Sequence, residues 1–253
     1  MRKKIIIIFF VNLTVATSIY AKAIPPQIGK KHKYSSKNNQ YILEVVLKGY
    51  PDNSPSKCIL KKNSKIVWEK ILSTTPGEVN ISDNGRFVVL ANWGRYDEGW
   101  FKGLTFLDKN GVIIKEVTFK NGNKNVMRSI DKTSIAANRE YYMIGYEDEN
   151  NLIYDIYNIA TGDLLQNHKI KLGNNYQLYD MIISDNGKYI FFCIHNGKDI
   201  KILYSDINEK VFSEKEFKKN FTWNLPLLKI NDNGTEFEVF LLKSKKWKKY
   251  KIF

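Results

Sequence analysis

Short runs of β-branched and aromatic residues alternate along the chain with polar turns, and one phrase of turn and run recurs almost unchanged. It occupies residues 82–90 (SDNGRFVVL) and 184–192 (SDNGKYIFF), and a third copy covers 231–237 (NDNGTEF). Asn-Gly accepts the positive φ angles that a two-residue hairpin requires, and the run after it has the composition of a strand. Each phrase therefore predicts a tight turn between two antiparallel strands.

Two weaker copies occupy residues 36–43 and 136–143, which makes five copies in all. Their asparagines recur at steps of 45, 54, 48 and 47 residues, at Asn39, Asn84, Asn138, Asn186 and Asn233. A period of this length is that of a four-stranded blade and exceeds that of leucine-rich or ankyrin repeats. The chain is therefore predicted to be an all-β repeat protein with extra residues in its second repeat.

A second polar turn follows about half a period later in three repeats, at residues 108–111, 158–162 and 206–209. Each repeat thus holds four strands, and the third strand ends in an aromatic residue and an Asp, as in Phe106 to Asp108 and Tyr204 to Asp206. In these turns the chain resembles the WD-type and Tol-type periplasmic propeller repeats. The resemblance spans residues 32–253 and implies a small β-propeller.

Five repeats predict about five four-stranded blades in one β-propeller domain over residues 24–253. The last repeat stops after its third strand, at residues 247–253, whereas residues 24–31 precede the first blade. Because an open last blade would leave an unpaired edge, we expect the mature N-terminus to supply the missing strand and close the ring. A β-sandwich is the alternative, since short strands at intervals of ~8–12 residues suit both folds.

Residues 1–23 have the three parts of a secretory signal peptide. Basic residues 2–4 precede a short apolar run over 5–16, and Ala21-Lys22-Ala23 offers the small residues that signal peptidase accepts. We expect cleavage after Ala23 and export to the periplasm or the extracellular space. A permanent anchor is the alternative, but Asn12 interrupts the run, which falls short of the ~20 apolar residues that a span needs. No membrane span is therefore expected after cleavage.

Lysine dominates the charge of the chain. There are 40 basic and 26 acidic residues, which give a formal charge of +14, yet only five of the basic residues are Arg. Specific nucleic-acid binding is not expected, because Arg supplies the planar fork that grips phosphates and base edges. The lysines are scattered except for a dense run at 243–251, which leaves electrostatic adhesion to anionic polymers as an alternative function.

The two cysteines are predicted to be free and buried. In the repeat register Cys58 lies on the third strand of the first blade and Cys193 on the second strand of the fourth blade. The fifth blade separates them, and a disulfide requires Cα atoms within ~7 Å of each other. Export would permit a disulfide, but the register argues against one.

The chain lacks the motifs of common catalytic and cofactor sites. It has no Gly-x-Ser-x-Gly elbow, no phosphate-binding Gly loop and no Cys-x-x-Cys pair. His32, His168 and His195 fall in separate blades without metal-ligand spacing, and His195 is expected in a surface loop. No cofactor and no metal site are predicted.

The extra residues of the second repeat form an aromatic and charged loop over 92–102, between the second and third strands of the blade. Propellers bind ligands on the face where such loops lie, and flat rings flanked by charges suit a sugar or a peptide. The predicted ligand-binding residues are Trp93, Arg95, Tyr96, Asp97, Glu98 and Trp100. The alternative is that Trp93, Trp100 and Phe101 pack the loop onto the blade.

Three acidic residues stand near the start of the innermost strands. Glu78 and Asp180 each precede the Asn of their repeat by six residues, and Asp131 precedes its Asn by seven. Five-bladed glycosidases, which the predicted architecture resembles, place their acids at the central channel, where two carboxylates can act as acid and base. Glu78, Asp131 and Asp180 are therefore the candidates for catalysis.

The repeat, the expected export and the missing catalytic motifs together favour a non-catalytic binding or scaffold protein. We expect a monomer that presents its loop face to an envelope protein or a glycan. A carbohydrate-active hydrolase that uses the channel carboxylates is the alternative function.

Overall fold

The structure is a computed structural model, and every regular element in the part of the chain that it describes is a β-strand. The described residues are 29–48, 55–93, 101–119, 132–136, 140–148, 150–173, 175–209, 212–220, 228–231 and 234–252. Nineteen strands of these ranges form five antiparallel sheets, and in each sheet the strands are neighbours in chain order. The predicted all-β class is therefore confirmed.

Four sheets have four strands each and the last has three. Blade 1 contains β1 (Lys31–Ser35), β2 (Tyr41–Leu47), β3 (Ser56–Lys62) and β4 (Lys65–Leu72). Blade 2 contains β5 (Pro76–Ile81), β6 (Phe87–Trp93), β7 (Phe101–Asp108) and β8 (Ile113–Thr118). Blade 3 contains β9 (Lys132–Ala136), β10 (Tyr141–Asp148), β11 (Asn151–Asn158) and β12 (Leu164–Lys171). Blade 4 contains β13 (Gln177–Ile183), β14 (Tyr189–His195), β15 (Ile200–Asp206) and β16 (Ser213–Phe217). Blade 5 contains β17 (Leu228–Ile230), β18 (Glu236–Leu241) and β19 (Lys246–Lys251).

The repeated phrase forms the turn between the first and second strands, as predicted. In blade 2 the Ser82 hydroxyl donates to Asn84 Oδ1 at 2.8 Å and accepts from the Phe87 N–H at 3.0 Å, while Gly85 takes a φ of +68°. Blade 4 repeats these contacts from Ser184. A serine hydroxyl that satisfies turn and strand groups fixes the hairpin locally, which explains why the phrase recurs.

The same contacts in blade 1 correct the alignment of the repeats by one residue. Ser36 donates to Asn38 Oδ1 at 2.8 Å, and Asn39 adopts the positive φ that Gly85 has in blade 2. Asn38 is therefore the equivalent of Asn84, and Asn39 is not. Sequence alone misaligned this repeat because either asparagine can occupy a tight turn.

Apolar side chains pack between successive sheets. Val88 and Leu90 of β6 face blade 1, whereas Val89 and Ala91 of the same strand face blade 3. On β14, alternate side chains likewise face blade 3 and blade 5. These strands are buried on both faces, so they are continuously apolar instead of alternating with polar residues.

The sheets curl around a common axis. Lys37 of blade 1 donates from Nζ to Asp185 Oδ2 of blade 4 at 2.9 Å, a contact that sheets stacked in a straight row could not make. The fold is a small five-bladed β-propeller, and the two-sheet sandwich is excluded. The segment predicted to close the ring falls mostly on residues 24–28, outside the described residues, so closure by the N-terminus stays a prediction. Cys58 and Cys193 are free and buried, as predicted.

Candidate functional site

The first strands of neighbouring blades are joined by polar contacts, which places these strands next to the axis. The Tyr34 hydroxyl of β1 donates to the Gly77 carbonyl of β5 at 3.3 Å. The Ile183 N–H of β13 donates to Ser134 Oγ of β9 at 3.0 Å. Side chains near the starts of these strands therefore lie at one end of the central channel.

Glu78 on β5 is held by a relay that crosses from blade 2 to blade 3. Thr133 Oγ1 of β9 donates to Glu78 Oε2 at 3.2 Å and accepts from Asn80 Nδ2 at 2.7 Å. Because each donor is occupied, the carboxylate has a defined orientation. The side chain of Glu78 is only half-buried, so a ligand can reach it from the channel.

The negative charge of Glu78 affects two tyrosines, the partly buried Tyr34 and the fully buried Tyr142. Burial, followed by that charge, raises the pKa of Tyr34 to about 12 and raises that of Tyr142 further. The Tyr142 hydroxyl is fully buried and has no hydrogen-bond partner among the described residues; Thr133 and Asn80 lie close to it without hydrogen-bonding geometry. Both tyrosines stay neutral hydrogen-bond donors at neutral pH.

Asp180 of β13 occupies the position in blade 4 that Glu78 occupies in blade 2. Asp180 pairs with Cys193 in the strand register, as Glu78 pairs with Ala91. Asp180 Oδ1 accepts from the Met181 N–H at 2.9 Å. Burial raises the pKa of the Cys193 thiol, and the nearby Asp180 charge raises it further, so this thiol is not a nucleophile at neutral pH.

A β-bulge lies directly before each of these two acids. The register shifts between Pro76 and Glu78 in β5, and between Leu178 and Asp180 in β13. The pairings of the other three first strands, β1, β9 and β17, run without a shift over their described residues. A bulge bends its strand and re-aims the side chains beside it. Among the described residues, β1 alone also extends one residue before the equivalent position, and it has no bulge and no acid there.

The strand registers also show which residues share this level of the channel in the other blades. His32 pairs with Val45, and Lys132 pairs with Gly145, as Glu78 does with Ala91. Asp131 was predicted one residue before this level; it lies outside the described residues, so its role stays a prediction, and Lys132 stands at the level itself. His32 was missed because the alignment on Asn39 pointed one residue too far along β1.

His32 contributes an unsatisfied group to this level. Its Nε2 atom is buried and has no hydrogen-bond partner in the described part of the chain. Buried polar atoms are nearly always paired with protein, water or ligand. We call the four residues at this level the channel ring; they are His32, Glu78, Lys132 and Asp180.

The loop predicted over residues 92–102 is shorter in the structure, because Asn92, Trp93, Phe101 and Lys102 belong to strands. Strand β6 ends at Trp93 and β7 begins at Phe101, so residues 94–100 join the second and third strands of blade 2. In antiparallel sheets, this loop and the start of the first strand are at the same end, so the loop and the channel ring face the same way. Arg95, Tyr96, Asp97, Glu98 and Trp100 lie outside the described residues, and their role stays a prediction.

His195 is buried at the end of β14, so the expectation of a surface loop is wrong. Its Nδ1 accepts from the Gly197 N–H at 3.1 Å, and the Tyr179 ring packs edge-on against it at 5.9 Å. Burial lowers the pKa of His195 to about 4, which keeps the ring neutral at pH 7. Sequence could not show that His195 is buried, because the residue stands at the boundary between the apolar run of β14 and a polar turn, and either side could include it.

No group of three or more His, Cys, Asp or Glu side chains among the described residues could hold a metal ion. The described ranges contain no helix of the length and hydropathy needed to cross a bilayer.

No protein-family model matches the chain. No curated protein sequence matches it. Solved structures are similar in fold. One is a prolyl endopeptidase, with 14% identity, a TM-score of 0.54, and coverage of 83% of this chain and 32% of the other.

Two further structures match at lower TM-scores. The periplasmic gluconolactonase of Pseudomonas aeruginosa has 9% identity and a TM-score of 0.48, over 87% of this chain and 65% of the other. The WD40 domain of Toxoplasma gondii coronin has 10% identity and a TM-score of 0.44, over 72% of this chain and 44% of the other. This chain spans between about a third and two thirds of the lengths of the three proteins. At these identities the likeness concerns the fold alone.

Proposed function

We propose that the protein is an exported, non-catalytic binding module that takes a glycan or a protein at the end of the propeller where the channel ring lies. The observation that carries this proposal is the pair of bulges before Glu78 and Asp180. Two blades place a bulge and an acid at one equivalent position, and β1, whose described residues include that position, has neither. Bulges of this kind are common next to binding sites, where they aim a side chain.

The chemistry of the channel ring supports a polar ligand. Carboxylates accept hydrogen bonds from hydroxyl or ammonium groups, and the channel ring holds two half-buried ones, those of Glu78 and Asp180. The Thr133 relay holds Glu78 in place before a ligand arrives, which reduces the entropy lost on binding. A glycan offers many hydroxyls to such a site, and the aromatic loop at the same end can stack on sugar rings.

Export and a monomeric state are parts of the same proposal. They rest on the signal-like residues 1–23 and on the resemblance to periplasmic propeller repeats. N-terminal sequencing of protein recovered outside the cytoplasm tests export, with Ile24 as the expected first residue. An intact N-terminus at Met1 would contradict it.

Glycan binding is tested with three variants that each remove one negative charge. Glu78→Gln keeps an acceptor for the Thr133 hydroxyl, and Asp180→Asn keeps an acceptor for the Met181 N–H. Glu116→Gln is the control, because it changes an exposed acid on the outer strand β8. A panel of glycans is screened first for binding to the wild-type protein. We expect the two channel variants to lose about tenfold or more in affinity, since each removes a charge-assisted hydrogen bond, and Glu116→Gln to match the wild type.

The same glycans test the hydrolase alternative. Each glycan is incubated with the wild-type protein, and released sugars are measured. Turnover that Glu78→Gln abolishes would overturn the non-catalytic proposal. A lack of glycan binding would instead move the proposal to a protein ligand, which is then sought by capture from the envelope fraction with wild type, Trp93→Ala and Trp100→Ala. Capture that both Trp variants leave unchanged would remove the loop from the proposed site.

A further inference from the structure

Exposed apolar pairs recur at the rim of three successive blades, at the end of the propeller opposite the channel ring. Each pair stands where the fourth strand begins, and the pairs are Ile66 and Val67, Val112 and Ile113, and Leu164 and Leu165. The exposed fractions of these six side chains lie between 45% and 61%. A repeated position that exposes two apolar residues in a row departs from the usual alternation of an outer strand and marks a surface with a function.

A β-bulge lies at the same register step of the outer strand in all three blades, and in blades 1 and 3 it coincides with the exposed pair. The register shifts opposite Leu60 and Lys61 in blade 1, opposite Phe106 and Leu107 in blade 2, and at the equivalent step in blade 3. In blades 1 and 3 the inserted residue, Val67 or Leu165, belongs to the exposed pair, so consecutive side chains turn outward together. In blade 2 the inserted residue is Ile114, which is partly buried, and the exposed pair stands one residue earlier in the register. A bulge also interrupts the free hydrogen-bonding edge, so these outer strands are poor templates for an added strand.

The three pairs follow one another around the rim, and neighbouring blades are in contact beside them. The Trp68 ring of blade 1 packs under Gly111 of blade 2, so closely that a Cβ on that glycine would lie 2.8 Å from the ring. The Lys115 side chain of blade 2 covers Gly162 of blade 3 in the same way. We call the six apolar residues with their turns the apolar rim.

Charges around the apolar rim favour an anionic partner. Lys65 and Lys109 are exposed beside the first two pairs, and no ion pair joins either to an acid within the described residues. The two acids of these turns are occupied, since Asp163 pairs with Lys115 and Asp108 accepts from the Val112 N–H at 2.7 Å. The rim is thus apolar and locally cationic, in a chain with a formal charge of +14.

We propose that the apolar rim docks onto the surface of an anionic lipid bilayer. The apolar pairs enter the boundary between headgroups and acyl chains, and the flanking lysines contact anionic headgroups. A lipid surface fits better than a strand-adding partner because the bulges break the strand edges. The channel ring is at the other end of each sheet, so docking by the rim leaves it facing away from the bilayer.

Vesicle binding by the exported protein, purified with Ile24 as its first residue, tests this proposal. The probes are vesicles of phosphatidylcholine alone and vesicles with 30% phosphatidylglycerol, compared at about 0.1 M salt by co-sedimentation. We expect at least tenfold stronger partitioning onto the anionic vesicles, since each lysine near the surface contributes on the order of 1 kcal/mol. Equal partitioning onto both kinds of vesicle would overturn the proposal.

Paired variants locate the contact. Ile66→Gln and Ile71→Gln change residues with the same 61% exposure on the same strand, but only Ile66 lies at the rim. We expect Ile66→Gln to weaken binding about fivefold and the triple change with Ile113→Gln and Leu164→Gln to abolish it, while Ile71→Gln has no effect. If Ile71→Gln weakens binding as much as Ile66→Gln, the rim is not the docking surface.

A charge-matched pair and a local probe complete the test. Lys65→Gln with Lys109→Gln should weaken binding, whereas Lys198→Gln with Lys243→Gln, at the other end, should not. A solvent-sensitive dye on Ile113→Cys should shift to the blue on anionic vesicles, and the same dye on Lys198→Cys should not. The native cysteines are buried and do not compete for the label. An unshifted dye at position 113 on vesicles that bind the protein would contradict the proposal.

Discussion

Lys37 and Asp185 form an ion pair of 2.9 Å between the first and fourth blades. Lys37 is two-thirds exposed, so the pair adds little stability, about 0–1 kcal/mol for surface ion pairs. The ion pair is instead evidence for the arrangement of the blades, because residues 148 positions apart in the chain meet only if the sheets curl around an axis.

Carbodiimide cross-linking tests that geometry. It joins an amine to a carboxylate without a spacer, so a peptide that links Lys37 to Asp185 is expected by mass spectrometry. Lys115 and Asp163 of blades 2 and 3 serve as the positive control. Lys37→Arg should remove the first cross-link and keep the second. A protein that yields only the second cross-link without substitution would contradict the curled arrangement.

Two glycines with positive φ should respond very differently to alanine. A Cβ on Gly85 would lie 2.2 Å from the Tyr41 ring of the neighbouring blade, whereas nothing lies within 4 Å of one on Gly197. Gly197→Ala should cost only the backbone strain of about 1–2 kcal/mol. Gly85→Ala should cost about 3 kcal/mol or more, because the Tyr41 ring must move as well.

The free energies of unfolding in urea give this comparison directly. Gly197→Ala is the matched control, since its φ of +85° carries the same kind of strain as the +68° of Gly85. Equal losses for the two variants would show that the turn of blade 2 does not rest on Tyr41.

His195 should make the protein less stable in mild acid. Its pKa is about 4 in the folded protein and near 6.5 in an unfolded chain, so the unfolded state binds more protons between these values. The contribution of neutral His195 to the free energy of unfolding is therefore fully present above pH 6.5. It is lost as the pH drops towards 4, by about 2 kcal/mol for a group of this kind.

Urea unfolding of wild type and His195→Gln from pH 7.5 to 4 measures this effect. The variant should be less stable at pH 7.5 and should lose less stability on acidification. If the difference between the two proteins does not change with pH, His195 is not the group that titrates.

The two thiols should be unreactive until the protein unfolds. Burial raises the pKa of Cys58 to about 11 and also raises that of Cys193. At pH 8 an alkylating reagent should leave the native protein unmodified, and two alkyl groups should add after denaturation without reductant. Labelling that requires a reductant would reveal a disulfide instead.

Sequence by itself determined the features that depend on local chemistry. Ser82 and Asn84 fix their turn through contacts within six residues. Because this phrase recurs along the chain, it was enough to predict the period, the five sheets and a loop after the second strand of blade 2. The free state of Cys58 and Cys193 followed as well, because the repeat register places the two residues in blades that are too far apart for a disulfide.

Only the tertiary structure decided which residues share the channel ring and the apolar rim. His32 and Lys132 were missed because a pairing register depends on contacts between strands, and an error of one residue changes which side chain stands at a given level. The bulges before Glu78 and Asp180, like those of the outer strands, arise from how two strands fit together. Thr133 meets Glu78 across two blades because packing joins segments that are 55 residues apart in the chain.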